Sequence, residues 1–116
     1  MKEPRLIQDY LADILRSAVE VSGFVKGYSY ESFCADKKTT YAVIRGIEVI
    51  GEAVRCIPAD TRKKYPRIPW SVMAGMRDRL IHDYMGVNLM VVWKTATEDL
   101  PAIEPELRKI LHEFGG

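Results

Sequence analysis

A chain of 116 residues with 47% apolar side chains suits a single domain spanning 1–116, and it carries too much apolar sequence to be disordered. Its formal net charge of +1 leaves the molecule as a whole without the electrostatic footprint of a general nucleic-acid binder. No apolar run approaches the ~20 residues that cross a bilayer, and the opening "MKEPR" has no leader character, so a cytoplasmic protein without membrane contact is expected.

Leu6, Ile7, Tyr10, Leu11, Ile14, Leu15, Ala18 and Val19 recur at helical spacing, with Pro4 suited to the first turn and Ser22–Gly23 placed to stop the helix. "SYESFCAD" is a candidate short helix capped by Ser29. Asp36 is the expected N-cap of a long helix through Ala42, Val43, Ile47, Ile50, Ala53, Val54 and Ile57, closed by Pro58. Pro58, Pro66 and Pro69 make 58–69 a connection with room for a turn or two of helix. Trp70 opens the next helix, which runs to near Gly86. Asn88 is suited to cap a last element from about Leu89 toward Leu111, and Pro101 and Pro105 each remove a hydrogen bond there, requiring a kink or a split.

"YAVIRGIEVI" and "VNLMVVW" are rich in β-branched residues, but their lengths, their flanking charges and the absence of a hairpin turn favour helix. The expected fold class is all-α: a bundle of about five helices with a kinked last helix. Cys34 and Cys56 are too few and too far apart for a zinc knuckle or redox pair, and both are expected reduced in the core. Trp70 and Trp93 read as core or interface anchors rather than base-stacking platforms. Arg45 and Glu48, three apart, read as a surface pair.

Charge is uneven along the chain. Between Asp60 and Arg79 stand Arg62, Lys63, Lys64, Arg67, Arg77 and Arg79 against Asp60 and Asp78, while the C-terminal part runs acidic. Within this region "GMRDRLIHDYMG" crowds Arg77, Asp78, Arg79, His82, Asp83 and Tyr84 into one helix. At ~100° per residue Tyr84 falls within roughly 20° of Arg77, whereas His82 lies about 140° away. One straight helix cannot aim Arg77 and His82 at one point. Asp78 and His82 are four apart and can touch, as can Arg79 and Asp83, so the segment also reads as a solvated helix with Leu80 and Tyr84 packing inward.

A second copy related by a two-fold axis removes the geometric obstacle by bringing two arginines and two histidines into one cleft. The set then suits RNA. A histidine near neutrality moves the proton of a 2′-hydroxyl or of a leaving oxygen, and an arginine holds the phosphate. No metal site and no cofactor are expected, since His82 and His112 are the only histidines and the acids form no ligand cluster.

"RDRLIHDY" matches the Arg-x4-His-x-Tyr pattern of the HepT toxins, HEPN-fold ribonucleases paired with a minimal nucleotidyltransferase antitoxin. "AVIRGIEVIGEAV" resembles that family's second long helix, "IPWSVMAGMRDRLIHDY" its active-site segment and "TATEDLP" its last helix, together covering most of the chain in order. The resemblance implies a five-helix HEPN domain forming a homodimer. Arg77 and His82 of both copies would line a shared cleft, and Asp78 would be the polar residue that follows the arginine. Tyr84 would be the tyrosine to which an MntA-type partner attaches AMP, placing bulk and negative charge beside Arg77. Glu52 is similar to an acidic position of the cleft and reads equally as a solvated glutamate, while Arg79, Lys63, Lys64 and Arg67 are candidate RNA contacts.

The function these readings converge on is a metal-independent endoribonuclease toxin acting on RNA such as tRNA or mRNA, silenced by AMPylation of Tyr84. It would work as a homodimer that assembles further with its antitoxin. The competing reading is a non-catalytic helical module presenting a tyrosine or a nucleotide to its nucleotidyltransferase partner. Near-zero net charge favours the module and an intact Arg77–His82 pair favours the enzyme.

Overall fold

The computed structural model describes residues 6–81 and 88–115, and at positions 77, 79, 80 and 81 the backbone alone. The chain runs through α1 (Ile7–Phe24), α2 (Tyr30–Ala35), α3 (Lys37–Arg55), α4 (Ala59–Lys64), α5 (Trp70–Ile81), α6 (Leu89–Lys94), a π-helical turn (Thr95–Asp99) and α7 (Leu100–Glu113). Among the described residues there is no strand, and no helix is long and apolar enough to cross a membrane. The all-α expectation holds. Both β-branched stretches fall in helices where they are described.

The long helices α1 and α3 form the central pair. Leu11, Ile14, Ala18 and Val21 of α1 and Val43, Ile47, Ile50 and Val54 of α3 are essentially inaccessible to water. Their three- and four-residue spacings put each set on one stripe of its helix. Gly46 lets the two backbones approach closely, because a Cβ there would run into Val21 Cγ2. α5 packs against α3, α7 packs against α1, and α2 closes one end by burying Phe33 against the Trp93 ring at 5.2 Å.

Local chemistry sets the helix starts. Ser29 Oγ accepts from Ser32 N at 3.1 Å, Asp36 Oδ1 from Thr39 N at 3.1 Å, and Asn88 Oδ1 from Met90 N at 3.1 Å. Each satisfies a first-turn N–H that the helix itself cannot. Asp36 also accepts from the Tyr28 hydroxyl at 2.7 Å and the Thr39 hydroxyl at 2.8 Å. The Tyr28 bond first, then the Thr39 bonds, hold its carboxyl below the usual aspartate range.

Two expectations need correction. The first helix does not stop at Ser22–Gly23 but continues to Phe24, because Val21 and Val25 extend the buried stripe. That burial outweighs the ~1 kcal/mol a helical glycine costs relative to alanine. The reversal comes instead at Gly27, whose φ of 83° is the left-handed region glycine adopts without a Cβ penalty.

Cys56 is exposed at the C-terminus of α3 rather than in the core, and Cys34 is half-buried. Of the two outcomes left open for the last element, a kink or a split, the split does not occur: the run is helical from Leu89 to Glu113. Its irregularity is the π turn immediately before Pro101, where Leu100 N bonds to Thr95 O, five residues back. Thr95 and Thr97 hydroxyls donate to Val91 O and Trp93 O at 2.8 and 2.7 Å, a back-bonding that perturbs the helical ladder leading into the π turn. Pro101 then sits in the first turn of α7, where its missing N–H matters least, and Pro105 lies inside that helix.

The connection at 58–69 is stapled. The Trp70 indole N–H donates to Tyr65 O at 3.0 Å, and the Tyr65 hydroxyl donates to Glu113 of α7 at 2.6 Å. The carboxylate favours the protonated phenol and pushes the Tyr65 pKa up. Trp70 is buried and Trp93 packs against Phe33 and Tyr30, so both act as packing anchors.

Candidate active site at the α3–α5 seam

α5 carries the Arg-rich segment, and α3 fixes where that segment lies. Trp70, Met73 and Met76 are the buried residues of α5 among those whose side chains are described. Helical register puts Arg77 roughly 40° round from Met73 and Asp78 a further ~100° on. The Arg77 backbone therefore lies in the turn that links the buried stripe to the outer face.

That turn is gripped from α3. Arg55 Nη2 donates to Asp78 Oδ2 at 2.8 Å and, at a longer 3.4 Å, to Ala74 O. Ala74 and Asp78 bracket one helical turn, so a single guanidinium holds both ends of the segment containing Arg77. The two charged side chains are 46% and 54% exposed, which makes the bridge a wet one. Arg55 was not among the residues the sequence singled out. A basic residue in the last turn of α3 is a modest signal, and its acid lies 23 residues away on another helix.

Glu52 lies one turn before Arg55 on α3, is exposed, and has an interaction partner of its own. It lines a recess of about 270 Å³ together with Tyr10 and Asp13 of α1, Arg45 of α3 and Cys56 at its C-cap. Arg45 therefore faces this recess. The structure brings Arg55, Asp78 and the Arg77 backbone to the α3–α5 seam, whereas Glu52 lies in the recess between α1 and α3. His82, Asp83, Tyr84 and Gly86, like Pro4, lie outside the described residues, as do the side chains of Arg77, Arg79 and Leu80. Among the described residues no three His, Cys, Asp or Glu side chains gather as a candidate metal site.

The other basic candidates separate. Lys63 is exposed and lines a cleft between α4 and the start of α5. The Lys64 ammonium lies 5.8 Å from the centroid of the neighbouring Tyr65 ring. Arg67 faces a different cavity of about 580 Å³, shared with Met73, Met76, Lys94 and Asp99.

A helical bundle with a charged seam between its second long helix and an Arg-bearing helix defines a class of fold, not an activity. The family does more. The family model described as ribonuclease HepT-like matches residues 14–110, so the chain belongs to the HepT-like ribonuclease family, of HEPN type.

The relatives agree. The chain is 47% identical to a putative RNase of Methanocaldococcus jannaschii over 97% of its own length and 93% of the relative's. A second putative RNase of that organism is 49% identical over 95% of each chain. A probable ribonuclease HepT of Thermococcus cleftensis is 46% identical over 89% of this chain and 94% of its own. No solved structure matches the chain.

Proposed function

We propose that the protein is the toxin of a HEPN–nucleotidyltransferase pair: a single-domain, homodimeric endoribonuclease that needs no metal ion. The observation that carries this reading is the Arg77-x4-His82-x-Tyr84 motif, intact in a chain of a ribonuclease family. The 2′-hydroxyl of RNA attacks the adjacent phosphorus, the 5′-oxygen leaves, and the product ends in a 2′,3′-cyclic phosphate. His82 takes the proton from the 2′-hydroxyl or returns one to the leaving oxygen. With one imidazole from each copy in a shared cleft, both transfers have a donor or acceptor.

Arg77 holds the phosphate and offsets the charge that builds on it in the transition state. Asp78 acts as a positioning residue: anchored by Arg55, it fixes the turn that presents Arg77. Glu52, in the neighbouring α1–α3 recess, acts as a supporting acid of the cleft, while Arg79, Lys63, Lys64 and Arg67 contact RNA beyond the scissile bond. Attachment of AMP to Tyr84 by an MntA-type nucleotidyltransferase adds an anion beside Arg77 and excludes substrate. Higher assembly of the dimer with this antitoxin follows from that recognition.

The net charge of +1 favours the alternative, a module that only presents Tyr84 or a nucleotide to the transferase. Purified protein and a 5′-labelled RNA separate the two. The enzyme reading predicts cleavage that persists in EDTA, cyclic-phosphate ends, and loss of cleavage in Arg77→Ala and His82→Ala. Cleavage abolished by EDTA, or unaffected by His82→Ala, overturns the mechanism. Absence of cleavage together with AMP transfer to Tyr84 supports the module.

A further inference from the structure

The cleft between α4 and the first turn of α5 lies apart from the α3–α5 seam and has a chemistry of its own. It encloses about 460 Å³ and is lined by Arg62, Lys63 and Ser71, with Ile68, Trp70 and Val72 among its apolar walls. No carboxylate is among its lining residues. Arg62 Nε is buried without a hydrogen-bond partner. The guanidinium is charged throughout the working pH range and pairs with oxyanions through its N–H groups.

The start of α5 adds to this. Pro69, immediately before α5, has no side-chain acceptor to cap the first N–H groups, and the positive end of the helix opens on the same cleft. Two cations, a hydroxyl and a helix start thus border one recess, and each is a group that pairs with oxyanions.

We infer that this cleft is a phosphoryl-binding subsite, in which Arg62 and Lys63 supply charge and Ser71 supplies a hydroxyl donor. On the ribonuclease reading, on which this second clause rests, its occupant is the backbone of bound RNA away from the scissile bond. Ser71 and Asp78 are seven residues apart on α5, within roughly 20° of the same face and ~10 Å along the axis. One strand lying along that face reaches both places.

The test uses the full chain, wild type and an Arg62→Gln/Lys63→Gln variant, with Lys109→Gln on exposed α7 as the charge-matched control and a thermal melt to confirm folding. Inorganic phosphate titrated into labelled protein should move the backbone amide signals of Ser71 and Val72 saturably in wild type and not in the double variant. A single-stranded RNA should bind the double variant about tenfold more weakly, with a salt slope reduced by about one to two. Lys109→Gln should bind as wild type.

Phosphate shifts with unchanged RNA affinity assign the subsite to free phosphate or a nucleotide and overturn the RNA clause. Unmoved Ser71 and Val72 signals, or an equal loss of affinity in Lys109→Gln, overturn the subsite itself. Wild-type protein that cuts no RNA contradicts the ribonuclease reading, and the phosphate titration still decides the subsite.

Discussion

Removing Arg55 separates stability from positioning. Its bond to Asp78 is short, at 2.8 Å, but both side chains are about half exposed. A wet pair of this kind contributes roughly 0.2–1 kcal/mol, because water screens the attraction and two side chains lose freedom to make it. The second bond, to Ala74 O at 3.4 Å, is long and competes with the helix's own use of that carbonyl. Arg55→Ala should therefore destabilise the fold by no more than about 1 kcal/mol, or a few degrees in melting temperature for a chain of this size.

A double-mutant cycle with Asp78→Ala should return a coupling in the same range, shrinking toward zero at ~1 M salt, where the Debye length is about 3 Å. RNA cleavage should respond more strongly. Freeing one turn of α5 lets Arg77 stray from its phosphate, and a loss of about tenfold in kcat corresponds to ~1.4 kcal/mol. Arg55→Lys, which keeps the charge and one donor, should recover part of it. A coupling above ~3 kcal/mol would show a buried pair and refute the geometric reading. Unchanged cleavage in a folded Arg55→Ala would refute the positioning role.

Further outcomes follow from the core and caps. Phe33→Ala empties a fully buried site against Trp93 and should cost about 3–5 kcal/mol by chemical denaturation. Gly46→Ala should destabilise by about 1–3 kcal/mol despite alanine's better helix propensity, because the stiff, buried Val21 cannot move aside; a more stable variant contradicts the close α1–α3 approach.

The Asp36 carboxyl titrates below its unfolded value of 3.8, so its contribution is fully present above that pH and is lost as pH falls through the lower folded value. Asp36→Asn keeps a capping oxygen but removes this titration. The stability difference between wild type and variant should shrink on acidification below about pH 4, and a constant difference down to pH 2 contradicts the assignment.

What could be read in the sequence was mainly local. Ser29, Asp36 and Asn88 announce helix starts because a short polar side chain reaches an N–H two or three residues on, whatever the rest of the fold does. The buried stripes of α1 and α3 are legible for the same reason, as periodicity and burial share one geometry. Gly23 misleads because the propensity of one residue is small against the burial of Val21 and Val25 on either side.

The π turn at Thr95–Asp99 has no sequence marker of comparable strength, although two threonines with back-bonded hydroxyls stand in it. Cys56 reads as core by residue type and is exposed because α3 ends there. At the site, spacing shows that Arg77 and His82 diverge on one helix, yet no spacing could link Arg55 to Asp78. That pairing depends on how α3 and α5 pack.

The central claim is that two copies build one cleft in which Arg77 and His82 meet a common phosphodiester. Subunit complementation tests it most directly. Arg77→Ala and His82→Ala proteins, each inactive alone, are co-refolded, and mixed dimers are confirmed by native mass spectrometry. If the cleft is shared, the mixed dimer recovers cleavage with 2′,3′-cyclic phosphate ends. If mixed dimers form and stay as inactive as either parent while wild type cuts, each chain acts by itself and the account fails.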